Sequence, residues 1–305
     1  MHFEAVDYEC DVWVNGNHVK HHRGGHTPFT IDISSVVQDD NEIVVRVSDY
    51  NRTTQPIGKQ KWKDENFLCW YTRTIGIWQN VWLEATGQTY LQQLTMVPDI
   101  HQSALKIDAQ LNHDCEATIQ ATISFAGKTI TTVSSKAKHG RVRLAIDVSD
   151  NEANFRLHYW SPTEPNLYDI DLTVTDEGQE TDHVSSYFGM RGVESRGHQI
   201  LLNDQAIYQK LVLNQGYYPD KGLTGSIEDY QNDLSKLKAM GFNGNRIHQH
   251  LESHRMLYLC GQMGILAWAE FPSSFEFSTS MMPNMIDELP GFIIKHINHP
   301  SVITY

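Results

Sequence analysis

Over residues 1–88 polar and apolar residues alternate with a period of two. Val6, Tyr8, Cys10, Val12 and Val14 fall on one face of an extended segment, with Asp7, Glu9 and Asp11 on the other. Asn15-Gly16 follows, a pair suited to the positive φ angles of a tight hairpin turn. "NEIVVRVSDY" and "GIWQNVWLEA" read as further strands, rich in β-branched and aromatic residues. Residues 89–190 carry a second series: "ALKIDAQL", "EATIQATISF", "KTITTVSS", "RVRLAIDV" and "LYDIDLTVT". Their spacing and the turn residues between them predict another sandwich, and no Cys-Trp-Cys pattern pins it with a disulfide.

Beyond residue 190 the period changes. "KLVLNQGYY" reads as a strand, and Ser226 opens a helix whose apolar stripe is Ile227, Tyr230, Leu234 and Leu237. Glu228 and Asp229 lie in its first turn and Gly241 just past its end. "GNRIH" predicts a second strand, "HRMLYLCGQMG" a helix, "ILAWAEF" a third strand, "ELPGFIIKHIN" a third helix and "SVITY" a fourth strand. Strict β/α alternation implies parallel strands joined by helical crossovers. Residues 191–305 therefore read as the first half of a (β/α) barrel, since a complete one takes eight units and about 250 residues. The predicted fold class is multidomain, β plus α/β.

Composition narrows the function. The formal charge of −13, without any Lys/Arg run, argues against a nucleic-acid partner. No stretch approaches roughly 18 unbroken apolar residues, so no membrane helix is expected. Cys10, Cys69, Cys115 and Cys260 are far apart and form no CxxC pair, which reads as reduced core thiols in a cytoplasmic protein. No signal peptide is visible, although a strand so close to Met1 suggests an incomplete N-terminus, which leaves that question open.

Several stretches resemble landmarks of glycoside hydrolase family 2, the β-galactosidase and β-glucuronidase group. "VDYECDVWVNGNHVKHHRGGHTPFTIDIS", "GKQKW" and "YTRTIGIWQNVWLE" resemble its jelly-roll sugar-binding domain. "WSPTEPNLYDIDLTV" and "YFGMR" resemble the end of its immunoglobulin-like domain. "KAMGFNGNRIHQ", "GILAWAEFPS" and "NHPSVITY" resemble the second to fourth strand regions of its TIM barrel. The resemblance implies a retaining β-glycosidase, with β-galactosides the leading substrate and glucuronic acid or mannose not distinguished. It also implies that the chain is cut at both ends, with the acid/base and nucleophilic glutamates both beyond Tyr305. The fragment would then be inactive, and none of its residues would be catalytic. A non-catalytic carbohydrate-binding module or decayed remnant is the alternative. A sandwich-built adhesion protein is disfavoured by the β/α alternation.

The predicted strand ends offer Asn214, Gln215 and Tyr217 after strand one and Arg246, His248 and Gln249 after strand two, with Trp268 and Glu270 on strand three. A guanidinium at a strand end inside a barrel requires an anionic partner. By resemblance Arg246 would bond the missing nucleophile and keep it ionised, His248 would contact a sugar hydroxyl or the acid/base, and Glu270 would support rather than catalyse. His299 reads as structural. "HHRGGH", with His21, His22 and His26, reads as a solvated loop rather than a metal site. Trp62, Trp70, Tyr71 and Trp78 read mostly as sandwich core, with Trp70 or Tyr71 best placed to reach the barrel mouth. No cofactor is expected; a monovalent or divalent cation in the parent enzyme has no support in this sequence. The expected partner is a carbohydrate, with a homo-oligomer possible.

Overall fold

The computed structural model describes residues 1–151 and 156–305. In the N-terminal unit the strand Glu9–Val14 sits between Asn17–Arg23 and Ile43–Ser48, all antiparallel. Asn15 and Gly16 take φ of 50° and 78°, the hairpin geometry expected of that pair. Val6, Cys10, Val12 and Val14 join Phe3, Phe29 and Ile31 in the core of this unit.

The polar face departs from the expected pattern, because Asp7 is buried, with Gln60 Nε2 donating to its Oδ2 at 2.8 Å. "GIWQNVWLEA" also breaks into two short strands, Gly76–Ile77 and Val81–Trp82, each in a different sheet. Between them Trp78 turns away, donates its indole N–H to Gly25 O at 3.0 Å, and packs with Leu223, Ile247 and Phe292 of the C-terminal unit. The segment trades sheet pairing for contacts with that unit.

In the second unit the sheet of Arg141–Asp147, Ala104–Leu111 and Leu91–Asp99 shares a core with a four-stranded antiparallel sheet. The latter runs Lys128–Lys136, Thr118–Phe125, Tyr168–Asp176, Gln179–Phe188. Trp160 Nε1 donates to Gly261 O at 2.7 Å, and half-buried Arg191 donates to Pro300 O and Val302 O at 2.6 Å each, so this unit is stitched to the C-terminal one.

The C-terminal unit contains a four-stranded sheet in the order Leu211–Asn214, Gly244–Ile247, Leu266–Ala269, Val302–Thr304, every pairing parallel. Its helices are α1 (Ile227–Ala239), α2 (His254–Met263) and α3 (Met281–His296). Ser226 and Asp229 form a reciprocal capping box at the start of α1, and Tyr230, Leu234 and Leu237 are buried. Ile227, in the first turn, is 42% exposed and leaves the expected stripe. Helix α3 begins seven residues before the expected Glu288. Pro283 lies in its first turn, where no backbone N–H is needed, and the helix continues through Pro290. Ile247, Ala267 and Ala269 pack against Leu257 of α2 and Phe292 of α3. Alternate residues of the same strands, Arg246 and Trp268, face the other way. No helix among the described residues is long and apolar enough to cross a membrane.

Candidate functional site

The C-terminal ends of the second and third parallel strands bring three predicted residues together. Arg246 Nε donates to Glu270 Oε2 at 2.9 Å, and His248 Nε2 lies 3.5 Å from Glu270 Oε1. Arg246 and Trp268 occupy paired positions in register, and the guanidinium lies 5.1 Å from the centroid of the Trp268 ring. The anion that Arg246 requires is therefore supplied within the chain by Glu270. Burial pulls the His248 pKa down from its ordinary value, Glu270 opposes that pull, and Lys59 and Arg246 add to it, so the imidazole is neutral near pH 7.

The residues after strand one do not join this group as a set. Asn214 lies opposite Ile247 in register, and its Oδ1 accepts the Gly216 N–H at 2.8 Å. Its carbonyl accepts from the His248 N–H at 2.8 Å, which fixes the start of the neighbouring loop. Asn214, Gln215 and Tyr217 together line a cavity of about 490 Å³ beside α1, which Tyr71 also lines. Tyr217 donates to Thr72 O at 2.9 Å, and its ring lies 5.1 Å from that of Tyr71. Burial raises the Tyr217 pKa further, so it stays a neutral donor.

The wall facing strands two and three comes from the N-terminal unit. Ile57 N and Gly58 N donate to Ser273 O at 3.2 and 3.0 Å. Gly58 has φ of 58°, and a Cβ there would overlap the carbonyl oxygen of Gln249. Gln249 itself holds a positive φ of 60°, uncommon for a residue with a side chain. Trp62 is not sandwich core; it and Trp70 pack against Phe275 from the loop after strand three, and Phe67 packs on both tryptophans. Of the four aromatics, Trp78 is the one that is buried, and it is buried against the parallel sheet. Four polar atoms here are buried without a partner: His248 Nδ1, Gln249 Oε1, Trp70 Nε1 and Ser274 Oγ. Lys59, Phe275 and Ser274 carried no chain-local signal beyond the glycine preceding the lysine.

The "HHRGGH" segment is not a solvated loop. Gly24, Gly25 and His26 are buried under α3, the His26 N–H donates to Glu288 Oε2 at 3.1 Å, and Arg23 donates to Asn284 Oδ1 at 2.6 Å. His22 stacks on Phe29, while His21 bonds Asp11 at the surface. Burial takes the His26 pKa down to about 3. Among the described residues no three His, Cys, Asp or Glu side chains group as a metal site. Cys10 and Cys260 are buried, Cys115 is half-buried against the core of the second unit, Cys69 is half-buried outside the core clusters, and none of the four is paired. His299 is locked between Tyr187 Oη and His254 Nδ1, both at 2.7 Å, as a structural residue would be.

Fold and mouth together define a multidomain protein of two β-sheet units and a β/α unit, with its polar constellation where parallel β/α sheets carry their sites. Residues 1–87 match the family profile "Glycosyl hydrolases family 2, sugar binding domain", and residues 89–191 match "Glycosyl hydrolases family 2". A beta-galactosidase of Thermoanaerobacter pseudethanolicus is 26% identical over 326 residues, which take in 100% of this chain and 41% of that protein. A beta-glucuronidase of Mus musculus is 23% identical across 100% of this chain and 50% of its own length. The crystal structure of a Bacteroides uniformis beta-glucuronidase superposes with a TM-score of 0.81 at 21% identity, covering 99% of this chain and 37% of that one. The chain belongs to glycoside hydrolase family 2. It spans between a quarter and a half of the length of the curated relatives it matches.

Proposed function

We propose that this chain is the sugar-binding, connecting and early-barrel part of a cytoplasmic retaining β-glycosidase that hydrolyses terminal β-glycosides, with β-galactosides the first class to test. The observation that carries the reading is the Arg246–Glu270–His248 group beside Trp268 at neighbouring parallel strand ends. Sugar hydroxyls both donate and accept, which is what the unpartnered atoms of His248, Gln249, Trp70 and Ser274 call for. Trp268 and the Trp62–Trp70–Phe275 cluster add apolar faces of the kind that pack against a pyranose ring.

Retaining hydrolysis needs two carboxyl groups about 5–5.5 Å apart, one to attack the anomeric carbon and one to protonate the leaving oxygen. Glu270 is engaged by Arg246, so its role in this reading is to hold the guanidinium in place. Both catalytic carboxylates are assigned to sequence beyond Tyr305, and the four-stranded sheet to the first half of a (β/α)8 barrel. Arg246 would keep the nucleophile ionised, and Asn214, Gln215, Tyr217, Trp70 and Tyr71 would bound the pocket more remotely. The test is release of nitrophenol from nitrophenyl β-galactoside and β-glucuronide by the native full-length protein. Turnover is expected there and only background with the 305-residue chain alone; failure on every β-glycoside would contradict the reading.

A further inference from the structure

The approach to the fourth parallel strand, Val302–Thr304, is held by the second unit. Tyr187, Gly189 and Arg191 are alternate residues at and just beyond the end of the strand Gln179–Phe188, and each touches that approach. Tyr187 Oη lies 2.7 Å from His299 Nδ1, and a Cβ on Gly189 would overlap Pro300. Arg191 Nε donates to Pro300 O and its Nη2 to Val302 O, both at 2.6 Å. The arginine is itself fixed in place. The Met190 carbonyl before it accepts the Trp160 N–H at 2.9 Å, and the N–H and carbonyl of Gly192 after it both bond Asn203.

Packing alone fixes the register of this strand poorly. Val302 packs with Ile247 and Ala267, whereas Ile303 packs with Trp160 and Leu266. A one-residue slip would exchange the two positions, and both residues are β-branched and apolar, differing by one methylene. The pairing with strand three is irregular as well. Ala267 lies opposite Val302 but Trp268 lies opposite Thr304, so Ile303 is an extra residue between them. Such bulges re-aim the side chains that follow. Arg191 discriminates where packing does not. The carbonyls of Pro300 and Val302 point to one side of the chain, while Ser301 O, between them, accepts from Ala267 N at 2.7 Å. A slip by one residue would turn both carbonyls away from the guanidinium, at the cost of two charge-assisted bonds.

We infer that Arg191 is a positioning residue: from the second unit it sets the register of strand four, and with it the frame in which the chain after Thr304 reaches the mouth beside Trp268. This rests on the glycosidase reading above, which assigns the reacting carboxylates to sequence beyond Tyr305. The native full-length protein is compared with its Arg191→Met and Arg191→Lys variants on a nitrophenyl β-glycoside that the wild type hydrolyses. Arg191→Met is expected to lose about 100-fold in kcat, as misplacement of a reacting group by about 1 Å predicts, with KM changed less than about three-fold. One limb of its kcat/KM–pH profile should move by at least about half a unit, because a displaced carboxyl sits in an altered field. Arg191→Lys keeps the charge and a donor, so its loss should be smaller, and it carries the comparison if Arg191→Met does not fold. A profile scaled down without any shift in both variants would mean only less folded enzyme and would overturn the proposal. A second arm needs no turnover: hydrogen exchange, read by mass spectrometry. Exchange over residues 299–305 should quicken at least about ten-fold in the variant, with α1 changed less than about two-fold. If the wild type hydrolyses no glycoside, the glycosidase reading fails, and quickened exchange confined to strand four keeps Arg191 as its register clamp. Unchanged exchange there, or an equal rise in α1, sinks the clamp whatever the activity.

Discussion

Replacing Lys295 by methionine tests whether α3 is fastened to the N-terminal unit by a buried charge. Lys295 Nζ donates to Gln79 Oε1 at 2.6 Å and lies 3.4 Å from Glu4 Oε1, with the lysine and glutamate side chains 0% and 2% exposed. Burial pulls the lysine pKa down to about 8, against the opposing pull of Glu4. Removing one member of a buried pair leaves the other uncompensated, a loss of about 3–5 kcal/mol. Glu4 keeps bonds from the Asn80 backbone and side chain through Oε2, which favours the lower end, about 3 kcal/mol. At 2–4 °C per kcal/mol that is a fall in Tm of roughly 6–12 °C. Glu4→Gln combined with Lys295→Met should recover most of it, because no buried charge is then unpaired. Thermal and guanidinium unfolding of the three variants, followed by tryptophan fluorescence, reads the first transition. A Lys295→Met cost under about 1 kcal/mol, or a double variant no better than the single, would refute the reasoning.

Burial raises the pKa of Glu288 to about 8 and of Asp7 to about 7. Each folded pKa lies above its ordinary value, so the folded state holds more protons, and the stabilisation present at about pH 4 is lost as pH rises through 7 to 8. Glu288→Gln should flatten Tm against pH over that window; an unchanged slope would remove Glu288 as its source. Gly58→Ala must override both φ of 58° and the Gln249 carbonyl, so it should cost more than the roughly 1 kcal/mol expected of Gly16→Ala, which meets nothing within 4 Å. Denaturant midpoints compare the two, and equal costs would detach the Gly58 loop from the strand end. In the native full-length protein Arg246→Ala should depress kcat by at least about 100-fold, while His21→Ala, at the surface with Asp11, should leave it within two-fold; equal rates would take Arg246 out of the site.

What was legible in the sequence depended on how far apart the deciding residues lie. The apolar face of the Val6–Val14 alternation, the Asn15-Gly16 turn and the helix start at Ser226 are set within a few residues, and they appear as read. The need of Arg246 for an anion was also legible, because it follows from charge and position alone. Its partner, Glu270, was in view but was assigned only a supporting part. The burial of Asp7 and His26 was not legible, since it depends on Gln60 in one case and on Glu288, 262 residues away, in the other. Trp62 looked like sandwich core because its partner Phe275 belongs to another unit.

The claim that this mouth serves retaining β-glycoside hydrolysis is tested most directly by the anomeric form of the first sugar released. Proton NMR of the native full-length protein turning over a nitrophenyl β-glycoside resolves the two anomers before they equilibrate. Two successive displacements at the anomeric carbon predict the β anomer first. The α anomer appearing first, or no sugar released at all, would contradict the account.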